Sequence, residues 1–535
     1  MYILHNTKKV GEKTYHSTLL CENYRERGKV CRRVLLNLSK WSAKEVEALK
    51  KSLRGEELFD LKELEVKSGL SLGALYTLKA VAERLGLDLA LGSSRKGRLA
   101  LLLIIARLIS PGSDRWTAIW AKRQATEAVL SLRPPKVDDL YETLDWLDKN
   151  QEKIEDALFV ARGKETEHLF LYDVTSSYLE GEKNELAFFG YNRDKKKGKK
   201  QIVIGLLTDK EGYPVSVEVF KGNTTDTKTL ESQIEKLSQR FGVEKVVLVG
   251  DKGMIKTIPI KNLKAKGLSF ITSISKPEIE SLIKQEVIQL SLFDSKIAEV
   301  EDEGVRYILR KNPLRKEEIK KNRDQRLKKA EEKLKEEAEG LLSSSRRNPA
   351  KALRRAIVLV DKLKLSRFIQ VKLKGRVLSY HLDKQVLLEA EALDGCYVIK
   401  TDLSKEELGA EEVHSRYKDL SKVETAFRTM KTDLLEIRPV NHRKATRTRG
   451  HVLVVALSYL LSHYIREVLK ETGISLKQAI LALDAIQLVP LKLENSLIQK
   501  VQTPDEEQTR ILKALDVKLP MAISSLAKKT KVVTK

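Results

Sequence analysis

Between residues 169 and 274 the chain alternates short apolar runs with polar turns, in an order that restricts the fold strongly. Three strand-like runs come first, followed by a helix-like run, a strand, a second helix and a last strand. The runs are Leu169–Tyr178, Gln201–Thr208, Tyr213–Phe220, Thr229–Arg240, Val246–Gly250, Lys256–Lys266 and Leu268–Ile274. This βββαβαβ order predicts an α/β fold in which helices cover a mixed sheet.

Two aspartates stand at unusual places in these strands. Asp173 lies inside the apolar run Leu169–Tyr178, where a carboxylate is costly to bury unless it is hydrogen-bonded, paired or bound to a cation. Asp251 directly follows Val246–Gly250, at the carboxyl end of a strand, where open α/β sheets bind ligands. Either aspartate alone is more typical of a turn cap. Two strands of one sheet that end in carboxylates can place them side by side, and like charges that close favour a divalent metal between them.

A third carboxylate, Glu424, falls on a helix predicted over Glu411–Leu435. Because a helix advances 100° per residue, Tyr417, Arg428 and Lys431 all lie within about 40° of Glu424. Apolar residues form a second stripe beside them: Val423, Phe427, Met430 and Leu434. We expect the apolar stripe to pack on the sheet and to hold the polar stripe at the edge of the core. A solvated face explains the Glu and a Lys; an acidic metal ligand flanked by phosphate-binding groups also explains the Tyr and the Arg.

Three carboxylates of this kind suit phosphoryl transfer on nucleic acid. Two Mg²⁺ ions held by them would lower the pKa of an attacking water or 3′-hydroxyl and stabilise the leaving oxygen. Mg²⁺ prefers oxygen ligands, and the eight histidines and three cysteines show no ligand spacing. We therefore expect Mg²⁺ (or Mn²⁺) and not zinc.

The charge of the chain points to a polyanionic partner. Its 100 Lys and Arg residues exceed its 75 Asp and Glu residues by 25, and a field this basic attracts DNA, although anionic membranes and ribosomes fit too. The longest apolar runs, Leu99–Ile109 and Val452–Leu461, are too short to span a bilayer, so no membrane is expected. The charged run Pro313–Gly340 is interpreted as a solvated helix with Glu–Lys pairs, and a DNA-facing arm is the alternative.

Two basic clusters are candidates for contact with DNA phosphates. The first lies at 193–200, between the first two predicted strands; the second lies at 442–451, just after the predicted Glu424 helix, and contains no acid. Their candidate DNA-binding residues are Arg193, Lys196, Lys200, Arg443, Arg447 and Arg449. A solvated loop is the competing interpretation of the first cluster.

Changes in sequence pattern divide the chain into five regions. The predicted regions are an N-terminal β-hairpin region at 1–42, a helical DNA-binding region at 43–162, a catalytic core at 163–275 and 404–475, an insertion domain with the charged helix at 276–403, and a C-terminal helical region with a basic tail at 476–535.

Five short motifs in this order resemble a known family. They are Tyr172-Asp173-Val174-Thr175-Ser176, Gly190-Tyr191-Asn192-Arg193-Asp194, Gly222-Asn223-Thr224-Thr225-Asp226, Gly250-Asp251-Lys252-Gly253-Met254 and the spaced set Tyr417, Glu424 and Lys431. Over about residues 168 to 465 the chain resembles bacterial and archaeal insertion-sequence transposases of the DDE superfamily, in the branch marked by a Tyr-x2-Arg-x3-Glu-x6-Lys signature (YREK).

The resemblance implies a ribonuclease-H-like core, interrupted by an inserted β-rich domain, in which Asp173, Asp251 and Glu424 bind the catalytic metals. Tyr417 and Lys431 match signature positions that hold phosphates near the cleaved DNA end. The signature Arg is replaced by Leu420, and Arg428 on the same helix face is a candidate to take its place.

These observations lead to the expectation of a DNA transposase. It would bind element ends in double-stranded DNA, cleave phosphodiesters and join the freed 3′-hydroxyls to target DNA by two-metal transesterification. It would act as a homodimer on DNA, in the cytoplasm at the nucleoid. The alternatives are a metal-dependent nuclease without strand transfer, a catalytically inactive DNA-binding descendant, and a basic structural or ribosome-associated protein.

Overall fold

The structure is a computed structural model that describes residues 1–55, 64–66, 68–163, 169–194, 196–225, 229, 246–251, 268–432, 434–493 and 496–523. The chain forms two compact units. The first comprises Met1–Leu72, Ile486–Pro504 and Leu519–Lys535, and the second comprises Gly73–Ala485 and Asp505–Lys518.

The first unit begins with an antiparallel sheet and a helix. The sheet has the order β1 (Tyr2–Val10), β2 (Lys13–Glu26) and β3 (Lys29–Asn37). The predicted hairpin region therefore has one more strand, β1, than the sequence pattern indicates, because the polar residues of β1 obscure the alternation of a strand. Helix α1 (Ala43–Leu53) follows and starts with a capping box between Ser42 and Glu45.

Both ends of the chain contribute to the second sheet of this unit. Its N-terminal strands are β4 (Leu64–Val66) and β5 (Leu70–Ser71). Its C-terminal strands are Gln487–Leu493, Ser496–Val501 and Ala522–Ile523. The predicted helical region at 476–535 is therefore part strand, and the predicted basic tail at 528–535 lies outside the described residues.

The second unit opens with a helical region, as predicted for the part of the chain before the sheet. Its helices are α2 (Gly73–Arg84), α3 (Leu87–Leu91), α4 (Arg95–Ile109), α5 (Asp114–Trp120), α6 (Thr126–Leu130) and α7 (Val137–Ala161). Helix α4 is buried along most of its length and packs against α7. The apolar run at 99–109 is thus a core helix.

The centre of the second unit is a mixed sheet of eight strands. Five of them form the predicted core: β6 (Leu169–Tyr178), β7 (Gln201–Asp209), β8 (Pro214–Lys221), β9 (Val246–Gly250) and β10 (Leu268–Ser273). Strands β6, β7 and β8 form an antiparallel meander, and β9 and β10 lie parallel to β6 on its other side, in the order β8-β7-β6-β9-β10. This is the ribonuclease-H-like arrangement that the family resemblance implies. The two crossover helices predicted at Thr229–Arg240 and Lys256–Lys266 fall, except for residue 229, outside the described residues.

The insertion after β10 extends this sheet and adds a small subdomain. Its elements are α8 (Lys276–Lys284), β11 (Ala298–Asp302), β12 (Val305–Lys311), α9 (Pro313–Ser343), α10 (Pro349–Lys362), β13 (Ile369–Lys374), β14 (Val377–Leu382), α11 (Lys384–Ala392) and β15 (Cys396–Thr401). Strands β11, β12 and β15 continue the main sheet beyond β10. The charged helix α9 buries one apolar stripe against α10 and the β13–β14 hairpin, and its other faces are mostly exposed.

Two long helices complete the core. Helix α12 (Ala410–Lys431) packs on β6, β9 and β10 through Val423, Phe427 and Met430, which are buried. The predicted helix ends at Lys431, not at Leu435, so Leu434 does not belong to the apolar stripe. Helix α13 (Ala445–Leu469) packs between α7, α4 and β8.

Among the described residues, one helical stretch is long and apolar enough to cross a membrane. It runs over Ala445–Thr472, which is longer than the predicted apolar run at 452–461 because helical residues flank that run on both sides. Of its most apolar 18-residue window, 72% is buried inside the protein, which is typical of a core helix. Helices α14 (Leu476–Asp484) and α15 (Glu506–Ala514) end the unit.

Candidate active site and its basic surroundings

The sheet places Asp173 and Asp251 side by side. Tyr172 of β6 is the register partner of Gly250 of β9, and the two strands are parallel. The next residue of each strand is an aspartate, and neighbouring strands lie about 4.8 Å apart. The two aspartates therefore lie next to each other, Asp173 within β6 and Asp251 directly after β9.

The pKa of Asp173 indicates that Glu424 lies near the two aspartates. The pKa of Asp173 is raised to about 7, mainly because burial removes water from its carboxylate. A hydrogen bond from the Val174 amide, 2.8 Å from Oδ1, opposes this rise, whereas the charges of Asp251 and Glu424 add to it. Glu424 thus lies within electrostatic range of Asp173.

The donor set fits Mg²⁺ in its chemistry. It consists of carboxylate oxygens that repel one another, and a cation between them would relieve that repulsion. Within the described ranges, no three His, Cys, Asp or Glu side chains already form a group tight enough to hold a metal ion.

Tyr417 links the Glu424 helix to the sheet. Its hydroxyl donates a hydrogen bond to Ser273 Oγ, 2.8 Å away at the end of β10. Burial raises the pKa of Tyr417, and the charges of Asp251 and Glu424 raise it further. The phenol therefore lies beside the carboxylate group.

The position of the missing signature arginine is part of the core. Leu420 is only 7% exposed, so its side chain packs inside and presents nothing to DNA. Arg428, the predicted substitute, is exposed and has no ion-pair partner in the part of the chain that the structure describes.

Lys431 is held by a carboxylate that the sequence interpretation left unassigned. Its Nζ lies 2.9 Å from Oδ1 of Asp194, and Arg438 Nη1 donates to the same oxygen. The side chain of Asp194 is 2% exposed. Asp194 is the one acid among the residues 193–200 and ends the Gly-Tyr-Asn-Arg-Asp motif, which is the signal that could have identified it. Arg438 has no comparable signal in the sequence.

Two of the sequence motifs meet through Gln201. Its side-chain amide donates to the carbonyl of Tyr191 (3.1 Å) and to that of Gly222 (2.9 Å). A Cβ at Gly190 would lie 2.1 Å from the Gly222 oxygen, so only glycine permits this approach. Residue 226, the last of the motif that begins at Gly222, lies outside the described residues.

The first basic cluster surrounds the end of β6. The amide of Arg193 donates to Ser176 Oγ (3.0 Å), its guanidinium stacks on Tyr191, and its charge lowers the pKa of Asp173. Lys196 lies over the ring of Tyr178. Lys200 is partly buried at the start of β7. Among the described members, Arg193 is thus the one whose charge acts on Asp173.

The second basic cluster serves largely to join two helices. Arg447 pairs with Asp145 (3.2 Å) and Arg449 pairs with Asp148 (2.7 Å), and both aspartates belong to α7. Arg443 is exposed and, within the described ranges, has no ion-pair partner. Sequence reasoning missed the two ion pairs because their acids lie about 300 residues earlier in the chain.

His414 ties the Glu424 helix to the inserted strands. Arg310 of β12 donates to its Nδ1 (2.7 Å), which leaves the proton on Nε2 to be donated to Tyr397 Oη of β15 (2.7 Å). Burial and the neighbouring Arg310 lower the pKa of His414 to about 4. The neutral imidazole therefore fixes the start of α12 against the extended sheet.

Two protein-family models match the sequence. The model of the family "Transposase DDE domain" matches residues 164–461, and that of "IS1634 family transposase, N-terminal domain" matches residues 4–62. A search of curated proteins finds no significant match.

Among solved structures, the chain is similar to piggyBac transposase in a cryo-EM structure of its synaptic complex with hairpin DNA. The identity is 9% and the TM-score 0.35, over 76% of this chain and 75% of that chain.

The first family match spans more than half of the chain and contains all three carboxylates, both basic clusters and the whole insertion. The protein is therefore a member of the transposase DDE domain family.

Proposed function

We propose that the protein is a DNA transposase that cleaves phosphodiesters at element ends and joins the freed 3′-hydroxyls to target DNA. The observation that carries the proposal is the carboxylate group where β9 ends beside β6. Asp173, whose pKa is raised mainly by burial and further by the charges of Asp251 and Glu424, lies on a ribonuclease-H-like sheet in a chain that belongs to a transposase family.

Asp173, Asp251 and Glu424 would hold two Mg²⁺ (or Mn²⁺) ions. Bound there, the ions would supply activation of the attacking oxygen and stabilisation of the leaving oxygen. The protein's own part is to fix the carboxylates: the parallel register of β6 and β9 places the two aspartates, and the Tyr417–Ser273 and His414–Tyr397 contacts place the helix that carries Glu424.

The basic residues around this group would bind the DNA backbone. Arg193, whose charge acts on Asp173, would lie on one side of it together with Lys196 and Lys200. Tyr417, Arg428 and Lys431 share the face of α12 that carries Glu424. Arg443, Arg447 and Arg449 would lie along the DNA further away; the last two do so while paired with Asp145 and Asp148. Contacts of this kind position the duplex without reading its sequence.

Double-stranded DNA, as element ends and as target, is thus the proposed partner. Two ends must be held together for transposition, so the active form is proposed to be a homodimer on DNA. The proposed location is the cytoplasm, at the nucleoid.

The test is cleavage of a labelled duplex that contains an element end, with Mg²⁺, with Mn²⁺ and with EDTA. We expect cleavage only with a metal, and Asp173→Asn, Asp251→Asn and Glu424→Gln should each reduce it by several orders of magnitude with DNA binding retained. Equal activity of the three variants and the wild type would contradict the proposal. DNA binding without any cleavage by the wild type would favour the inactive descendant.

A further inference from the structure

Two cations share one buried carboxylate where the Glu424 helix ends. Lys431 is the last residue of α12, and Arg438 follows seven residues later. Both donate to Oδ1 of Asp194, whose Oδ2 accepts a hydrogen bond from the Tyr178 amide (3.2 Å). Three donors therefore satisfy one carboxylate, and the three side chains together carry one net positive charge.

The backbone on both sides of Arg438 is fixed to the core. The amide of Ile437 donates to the carbonyl of Met430 (2.9 Å), and that of Val440 donates to the carbonyl of Tyr178 (3.2 Å). Ile437 and Val440 are both buried. Arg438 is thus held on a short, anchored segment between α12 and the end of β6.

The guanidinium of Arg438 has an inner side and an outer side. Inside, Nη1 binds Asp194 and Nε donates to the carbonyl of Lys431 (3.3 Å). Of its five N–H groups, three then have no acceptor within the described part of the chain. The side chain is 32% exposed, against 13% for Lys431, so these donors lie where a ligand from solvent can reach them.

The cluster borders the carboxylate group. Lys431 lies seven residues after Glu424, hence on the same helix face and about 10 Å further along the axis. Arg193, the neighbour of Asp194 in the chain, acts electrostatically on both Asp173 and Lys431. When the reacting phosphodiester of a DNA strand lies at the carboxylates, a neighbouring phosphate of the same strand would lie beside this cluster.

We propose that Arg438 binds a backbone phosphate of the DNA strand beside the cleaved bond, and that Asp194 is the positioning residue that holds Arg438 and Lys431 for this contact. The inference rests on the proposed function and adds a residue to it. A planar guanidinium can bind a phosphate through two parallel hydrogen bonds, and the buried Leu420 offers none at its own position on α12.

The burial of Asp194 indicates that it positions the two cations and does not compete with DNA phosphate for them. A carboxylate that merely stood in for DNA phosphate would have to leave both cations when DNA binds. Asp194 is almost fully buried and has a backbone donor of its own, so its release would leave an unpaired charge in the core, which is costly. The cations therefore keep their carboxylate and use their outer donors for DNA.

The experiment measures binding of the full-length protein to duplex DNA by fluorescence anisotropy over a range of salt concentrations. Loss of one phosphate contact should make the slope of log K against log salt shallower by about 0.9, and Arg438→Gln should weaken binding roughly five- to ten-fold. Arg438→Lys keeps the positive charge but lacks the planar guanidinium. It should therefore show the salt slope of the wild type, with an affinity between those of the wild type and Arg438→Gln.

Arg416 provides a matched control on α12, the helix that carries Glu424 and Lys431. It is also an arginine, its side chain is 31% exposed, and it pairs with Glu412 (3.0 Å). Arg416→Gln should change the affinity by less than about two-fold, as expected for a surface ion pair. If Arg428→Gln makes the slope shallower and Arg438→Gln does not, Arg428 replaces the signature arginine and the inference is overturned.

Asp194→Asn tests whether Asp194 positions Arg438 and Lys431 for DNA or competes with DNA phosphate for them. The variant gains a positive charge, yet we expect weaker binding and a shallower slope because both cations lose their anchor. Tighter binding with a steeper slope would overturn the positioning role. Thermal unfolding checks the fold of each variant; if Asp194→Asn does not fold, the partly exposed Arg438→Gln and Arg438→Lys decide the matter.

Failure of the inference can be told apart from failure of the proposed function. A wild type that binds and cleaves DNA, together with an Arg438→Gln variant that matches Arg416→Gln in affinity and slope, overturns the inference alone. A wild type that does not bind duplex DNA overturns both.

Discussion

Tyr417 donates a hydrogen bond to Ser273 across 2.8 Å, and this contact joins the helix that carries Glu424 to the end of strand β10. Ser273 lies two strands away from Asp173 in the sheet. The hydroxyl pair therefore sets the helix at a fixed distance from the strands that carry the two aspartates.

Replacing Tyr417 by Phe should separate the two roles of the phenol. Loss of the hydrogen bond should lower the free energy of unfolding by about 1 kcal/mol, and Ser273→Ala should do the same. Because Tyr417 is also proposed to contact phosphate, Tyr417→Phe should reduce the rate of DNA cleavage more than Ser273→Ala does. Equal cleavage rates for the two variants would leave the phenol only its structural role.

Asp173→Asn should stabilise the protein in the absence of metal. Because the pKa of Asp173 is about 7 in the folded protein, above its ordinary 3.8, the folded state binds the extra proton between these values and stability falls as pH rises through this window. In EDTA at pH 8 the amide should therefore raise the free energy of unfolding by roughly 1 to 4 kcal/mol.

The control for Asp173→Asn is addition of Mg²⁺. Urea unfolding should show that the metal stabilises the wild type and not the variant. A variant less stable than the wild type in EDTA at pH 8 would contradict the burial of a repelled carboxylate at this position.

Arg443 and Arg449 should respond differently to substitution although they belong to one basic cluster. Arg449→Gln breaks the pair with Asp148 and should lower the free energy of unfolding by about 1 to 2 kcal/mol. Arg443→Gln should leave the melting temperature unchanged and weaken DNA binding a few-fold by removing a charge near the phosphates. Thermal unfolding and anisotropy on both variants check this, and a reversed pattern would contradict the assignment.

The pH dependence of stability should report the buried His414. Its pKa is about 4 in the folded protein against an ordinary 6.5, so between these values the unfolded state binds the extra proton. The histidine therefore leaves stability unchanged above pH 6.5 and costs up to about 3 kcal/mol as pH falls to 4.

The matched variant for this measurement is His414→Gln. Glutamine can accept from Arg310 and donate to Tyr397 but does not titrate. The difference in unfolding free energy between wild type and variant should therefore grow in the variant's favour between pH 6.5 and 4. A difference that is constant over this range would show that His414 is not held neutral.

What the sequence predicts well depends on local pattern. The apolar runs around Asp173 and before Asp251 locate two strands of the sheet, and the helical spacing of Tyr417, Glu424 and Lys431 places them on one face, because periodicity is a property of a few consecutive turns or residues. The register that sets the two aspartates side by side follows from strand order, which the family resemblance supplied.

The partners of the basic residues could not be predicted. Asp148 lies about 300 residues before Arg449, and Asp194 lies about 240 residues before Arg438. No local pattern encodes which acid a tertiary fold brings to which cation, so the sequence interpretation treated Arg449 as free for DNA and did not single out Arg438. The missed strand β1 has a related cause: its lysines and its histidine mask the alternation that a strand usually shows.

Strand joining is the measurement that tests the central claim most directly. The protein is incubated with Mg²⁺, a labelled duplex that ends in a 3′-hydroxyl at an element end, and a supercoiled plasmid, and the products are separated on a gel. We expect label joined covalently to the plasmid by the wild type and none by Glu424→Gln. Cleavage of the duplex without any joined product would contradict transposition and identify the protein as a nuclease.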